Sequence, residues 1–222
     1  MRLAARFNGP PGSANGGVAA GRLAAYVGAA AVEVTLRRPP PLDVDLRVDA
    51  SGGTARLYDG ELLVAEAAPT TVELELPAPV PVERAREAEQ SYAGLVQHPF
   101  ATCFSCGTAR SDGLGLRPGP VAEGQAACTW TPGDDPVLVW AALDCPGGWS
   151  ADVPGRPMVL GRMALEHRGR ALPGQLHVVQ AWTTGQEGRK VHTGTALRAL
   201  DGSVVAVARA TWFILDPDAV GR

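Results

Sequence analysis

Apolar and polar positions along the chain fall into two rounds of the same order, a helical stretch followed by alternating segments. The first round opens at residues 15–29. Asn15 is a good N-cap there, and Ala, Leu and Tyr follow, so this stretch predicts a helix. Segments with alternation or β-branched bias come next, at 31–37 (AVEVTLR), 43–49 (DVDLRVD), 54–58 (TARLY), 61–67 (ELLVAEA) and 71–76 (TVELEL). Pro39-Pro40-Pro41, Gly52-Gly53 and Asp59-Gly60 punctuate them, and Asp59-Gly60 between two strand segments is a strong hairpin signal. Residues 77–81 (PAPVP) close this unit, and 82–95 predict a short polar helix within a connector at 77–97.

The second round begins with a strand over 126–131, then Pro132-Gly133-Asp134-Asp135-Pro136. Asp135 as N-cap and Pro136 at the first helical position predict a helix over 137–145. Residues 137–143 are apolar on every side, which predicts burial all round, and Cys145-Pro146-Gly147-Gly148 should stop the helix. Long strands are predicted at 158–168, 175–184, 189–200 and 203–215, with Asp201-Gly202 turning the last hairpin. Helix then antiparallel sheet, twice, reads as an internal duplication of an α+β unit, each sheet wrapping one buried helix. The units are expected at 1–76 and 98–222, joined by 77–97.

Composition narrows the function. At 222 residues, 45% apolar and 19% charged, the chain has the makings of a folded core. A net charge of −3 with scattered arginines does not favour a nucleic-acid partner. The stretch MRLAARFNGPPG has Pro and Gly where a signal peptide needs an apolar run, and Arg22 and Glu33 break the most apolar segment, so no membrane span is expected. Four cysteines are too few for a disulfide scaffold of this size and read as reduced thiols in the cytoplasm.

Two places carry chemistry. Gly16 and Gly17 follow the cap at the mouth of the first helix, where glycine weakens the helix but lets a group come close to free N–H donors. They serve either close packing or an oxyanion, and Asn15 either caps alone or also touches a substrate. Asp144 sits near the end of the apolar second helix. Burial and the helix C-terminus both disfavour its charge, so its pKa should be raised, and it serves either as a base or as an inert hydrogen-bonded acid. It lies about 13 Å along the helix from Asp135 at 1.5 Å per residue, so it can face Gly16-Gly17 only if the helices run antiparallel. Cys103-x-x-Cys106 lacks a second such pair; only Cys128, Cys145 and His98 remain, and the motif reads as a packed strap of buried thiols without metal. A nucleophilic Cys145 would need His167, His177 or His192, all on predicted strands. The five tryptophans are read as core, with one or two available to line an acyl tunnel.

In this order the residues resemble the hotdog fold of acyl-CoA thioesterases. Asn15-Gly16-Gly17-Val18 looks like the His-Gly-Gly-Val that opens that family's central helix. Cys103-Phe104-Ser105-Cys106-Gly107 with Gly113-Leu114-Gly115-Leu116 is similar to the N-terminal strap of its small members. Trp140-Ala141-Ala142-Leu143-Asp144 matches the part of the helix that carries the catalytic acid, and 201–214 looks like the final strand pair. Neither half holds a full site: nine residues after Asn15 stands Ala24, and nine before Asp144 stands Asp135. The resemblance implies a double hotdog with one composite site that hydrolyses an acyl-CoA or other acyl thioester without a cofactor. Asp144 would be base or nucleophile, Gly16 and Gly17 the oxyanion donors, Asn15 a polar aid, and Val18 and Trp140 substrate contacts. Arg37-Arg38 either meet CoA phosphates or are ordinary exposed arginines at a strand end, and the sheet edges leave room for a homo-oligomer. The family's strand Gln is replaced by Ala208, Arg209 or Ala210, which keeps a non-catalytic acyl-ligand binder in play. A hydratase or dehydratase of the same fold would need an acid–His pair that neither helix carries.

Overall fold

Each round of the pattern folds as a helix followed by antiparallel strands. The computed structural model describes residues 1–152 and 155–216. In the first round α1 (Gly16–Ala24) precedes β1 (Ala31–Leu36), β2 (Arg47–Ser51), β3 (Thr54–Asp59) and β4 (Leu62–Pro69). A polar helix, α2 (Val82–Gln90), leads through an irregular segment to the second round. That round comprises β5 (Gly119–Ala122), β6 (Gln125–Trp130), α3 (Leu138–Trp149), β7 (Met158–His167), β8 (His177–Glu187), β9 (Lys190–Arg198) and β10 (Val204–Ile214).

The strands form one antiparallel sheet in the order β2-β3-β4-β1-β7-β10-β9-β8-β6-β5. The two rounds join edge to edge at β1 and β7, from Ala31 opposite Glu166 to Thr35 opposite Arg162. The order β2-β3-β4-β1 recurs as β8-β9-β10-β7, as a duplicated unit requires. Both central helices are buried in one shared core: Val18, Leu23, Ala142 and Leu143 belong to it with Val34, Leu57, Met163 and Leu197 of the strands. At roughly 1.5–3 kcal/mol for each large apolar side chain removed from water, this core is the main stabiliser of the joined sheet.

α1 and α3 pack antiparallel. A Cβ on Gly17 would fall 2.6 Å from the Trp140 carbonyl oxygen and 2.7 Å from Asp144 Cβ, whereas Gly21 abuts Val137 and Trp140. The start of one helix therefore meets the later part of the other, and the glycines permit the approach. Gly17→Ala is expected to destabilise the fold by about 1–3 kcal/mol in urea unfolding despite alanine's better helix propensity, because the obstructing atoms are mostly backbone. Unchanged stability would mean that the helices have slack at this crossing.

The fold departs from the sequence expectations at four places. Residues 71–76 are not a strand. Val72, Leu74 and Leu76 alternate inward as in a strand, but they cover Ala164, Trp182 and Val207 on the sheet's outer face. The backbone of this segment and its continuation is satisfied by side chains, Arg168 donating to the Val72 carbonyl, Arg198 to Pro77 and Gln180 to Ala78. The strand expected at 43–49 begins only at Arg47, because Asp43 adopts a positive φ of 58° and accepts from the Ala5 amide. β5 went unforeseen because Pro120 lies in it; an edge strand tolerates a proline. Finally, α3 runs through Cys145-Pro146-Gly147-Gly148 to Trp149, and all four residues are buried. The proline forgoes one amide bond, and small residues at 147–148 let the last turn press on β9, where Thr193 Oγ1 would lie 2.7 Å from a Cβ on Gly147. Asp144 consequently stands within the helix, not at its end.

Candidate active site

Asn15 is placed by its role as the cap of α1. Its side-chain Oδ1 accepts from the Val18 amide at 2.9 Å, which fixes the orientation of the carboxamide. Nδ2 is then turned toward the second repeat, where it donates to Asp144 Oδ2 at 3.1 Å. The Gly17 amide donates to the same oxygen at 2.9 Å. The acid of the second repeat is thus bound to the helix mouth of the first. Its other oxygen, Oδ1, is buried without a hydrogen-bond partner, and the residue is only 2% exposed. Burial pushes the Asp144 carboxyl up to about 7, with the Gly17 amide and Asn15 pulling the other way and the Cys103 sulfur adding to the rise. Since Asp144 stands mid-helix, burial and not the helix C-terminus is the cause.

A cleft of about 50 Å³ opens beside this pair, lined among others by Asn15, Gly16, His98, Asp144, Trp149 and Leu160. A larger depression of about 510 Å³ shares Pro10, Gly16, Val159 and Leu160 with it and carries Arg37 and Arg38 at its rim. Arg37 is paired with Glu66, whereas Arg38 has no ion-pair partner among the described residues. Gly16 lies at the boundary of the two spaces, and its amide has no partner among the described residues.

The candidate residues are divided by this geometry. Asn15, Gly16, Gly17 and Asp144 come together. The Gly17 amide, expected to be a free oxyanion donor, is already committed to Asp144 and orients the acid instead; only Gly16 keeps a donor for a ligand. Val18 and Trp140, expected as substrate contacts, do not line the cleft. Val18 is turned about 100° from Gly17 around the helix, into the core, where it is fully buried. Trp140 lies one turn before Asp144 and so sits beside Gly21, facing a separate depression with Ala24 and His167. His167, His177 and His192 are also elsewhere; His177 bonds the Gln175 carbonyl and His192 faces Thr211, so none of them partners Cys145. In the region of the family's Gln, Ala208 and Ala210 are buried and Arg209 pairs with Glu33.

Other residues of the cleft were named from the sequence without a role in this site, His98 as a spare metal ligand and Trp149 among the core or tunnel tryptophans. His98 and Trp149 reach it from the connector region and from the unforeseen last turn of α3, and they stack edge-on with ring centroids 5.1 Å apart. The strap brings Cys103 and Cys106 against Cys145, with the three sulfurs within 4.8 Å of one another. The strap is anchored to both repeats. The Phe104 amide donates to the Asn8 carbonyl at 2.7 Å, and Ser105 Oγ donates to the Ala141 carbonyl of α3 at 3.0 Å. No periodicity in the sequence signals such loop-to-helix packing.

No protein-family model matches the chain, and no curated protein matches it. Solved structures do. A hot dog-fold conserved protein of unknown function from Alicyclobacillus acidocaldarius aligns with a TM-score of 0.68 at 11% identity, covering 97% of this chain and 92% of its own. The fold is a double hotdog. A TesB protein of Mycobacterium avium subsp. paratuberculosis aligns with a TM-score of 0.60 at 15% identity over 97% of this chain and 91% of its own. An acyl-CoA thioesterase II, TesB2, from Mycobacterium marinum aligns with a TM-score of 0.53 at 12% identity over 85% and 81%. The hotdog architecture accounts for both central helices and for the sheet they share. No helix among the described residues is long and apolar enough to cross a membrane.

Proposed function

We propose that the protein hydrolyses acyl-CoA thioesters at a site assembled from both hotdog repeats. The observation that carries this reading is the Asp144 carboxyl, tethered by one oxygen to the Gly17 amide and Asn15, with the other oxygen unpartnered beside the cleft. The activity named for the Mycobacterium marinum neighbour, an acyl-CoA thioesterase II, agrees with it.

In this mechanism Asp144 Oδ1 takes a proton from water as the water oxygen attacks the thioester carbonyl carbon. The carbonyl oxygen gains charge at the mouth of α1, where the Gly16 N–H and the helix dipole stabilise it. The intermediate collapses with cleavage of the carbon–sulfur bond, and the departing thiolate takes the proton back from Asp144. The small cleft suits the water and the reacting carbon. The larger depression sharing Gly16 suits the rest of the substrate, with Arg38 free to meet an anionic group of CoA. A cytoplasmic setting goes with this reading, since all four cysteines are free thiols.

The test is a panel of acyl-CoAs with a thiol reagent that reports CoA release. A base with a pKa of about 7 must be ionised to act, so log kcat/KM should climb with pH up to about 7 and level off above it. A profile level from about pH 5 to 9 would contradict the assignment. Buried alanines at 208 and 210, where the family's Gln is sought, favour a second reading, an acyl-ligand binder. Saturable acyl-CoA binding with no thiol released at any pH would decide for it.

A further inference from the structure

The geometry points to a metal site: Cys103, Cys106 and Cys145 form a three-thiolate cradle for one Zn²⁺-class ion, with a fourth coordination position left to a ligand from the cleft. The sequence supplied only the first two of these residues as a pair; α3 delivers the third.

The spacing is that of a metal site. Cys103 Sγ and Cys145 Sγ stand 3.6 Å apart, and all three sulfurs lie within 4.8 Å of one another. Tetrahedral zinc with Zn–S bonds of ~2.3 Å sets its sulfurs ~3.7 Å apart. Little movement would be needed to close around an ion.

N–H donors converge on the three sulfurs, an arrangement that suits ligating thiolates. The amides of Ser105 and Cys106 point at Cys103 Sγ. Trp149 Nε1 donates to Cys106 Sγ at 3.4 Å, and Asn15 Nδ2 lies 3.7 Å from both Cys103 Sγ and Cys145 Sγ. The turn that aims the amides is closed by the Gly107 N–H on the Cys103 carbonyl at 2.8 Å, and a Cβ on Gly107 would fall 2.5 Å from that oxygen. Donors of this kind hold ligating sulfurs in place and stabilise their charge.

The fourth position is not filled by His98. Its Nδ1 accepts from the Phe100 amide at 2.9 Å, so Nε2 carries the proton and faces the Cys106 carbonyl at 3.1 Å. No lone pair remains on the ring. The three sulfurs all line the cleft, which is large enough for a water or a ligand thiolate. Soft sulfur donors select zinc over magnesium or calcium. Binding releases the thiol protons, and Zn²⁺ with three thiolates carries a net charge of −1. The site rests on the placement of the three sulfurs and not on the proposed hydrolysis, which stands or falls separately.

The experiment is Co²⁺ titration of the reduced full-length chain, followed by absorption. One equivalent should produce thiolate-to-cobalt charge-transfer bands and the visible bands of a tetrahedral ion, and Zn²⁺ should displace it. Cys145→Ala and Cys103→Ser should lose the charge-transfer bands, and Cys128→Ala should keep them. Folded wild type that gives no such bands overturns the proposal even if the variants do not fold, and so does a Cys145→Ala protein whose spectrum is unchanged.

Discussion

Asp144→Asn is expected to lower kcat for acyl-CoA hydrolysis by about 10²–10⁴-fold, the range that a positioned general base contributes. In activation free energy this is roughly 3–5 kcal/mol. The substitution keeps the shape of the side chain. Its oxygen can still accept from the Gly17 amide and from Asn15, and its nitrogen takes the place of an oxygen that already lacked a partner. The fold should therefore survive, which circular dichroism and unfolding curves will show, and substrate should still bind. What disappears is the ability to take a proton from water. Undiminished turnover in the variant would remove Asp144 from the chemistry.

The same carboxyl should leave a mark on stability. Its pKa stands at about 7 in the folded chain, against 3.8 for an ordinary aspartate. Below about pH 4 the group is protonated whether the chain is folded or not, and it imposes no penalty. As pH rises from there, the unfolded chain releases the proton and the folded chain retains it, so unfolding becomes progressively easier. Above about pH 7 both states are ionised and the dependence ends. The whole window amounts to about 4 kcal/mol. The stability of Asp144→Asn relative to wild type should therefore grow by about that amount between about pH 4 and pH 8, read from urea midpoints in reduced, chelator-treated protein. Comparing the two proteins cancels the other carboxylates. A difference that stays constant with pH would mean that the folded chain does not hold this acid neutral.

Much of the architecture was legible because it rests on local chemistry. Asp59-Gly60 and Asp201-Gly202 turn hairpins with Gly60 at φ 57° and Gly202 at φ 84°, conformations open to glycine. The cap at Asn15 was likewise readable, and so was the need for antiparallel helices. The strands of the second round fall within a few residues of their expected limits because each alternates over many positions. Residues 71–76 show where alternation fails: period two reports that one side of a segment is buried, not that its backbone joins a ladder. Pro146 shows the reverse. A breaker inside a fully buried helix was overruled by packing that no local window contains. At the site, the sequence brought forward Asn15, Gly16, Gly17 and Asp144, but not which amide the acid would occupy. That depends on the helix crossing, which commits Gly17 and leaves Gly16. The convergence of Cys103, Cys106 and Cys145 was illegible because a loop and a helix separated by about forty residues meet only in three dimensions.

The account depends most on an acid lent by one repeat, held by the backbone of the other and kept near half-ionisation at neutral pH by its burial between them. Carbon-13 NMR of the Asp carboxyl carbons, assigned by the resonance missing from Asp144→Asn, follows that proton directly. In reduced, chelator-treated wild type the Asp144 signal should titrate with a midpoint near 7. A midpoint near the ordinary 3.8 would contradict the account.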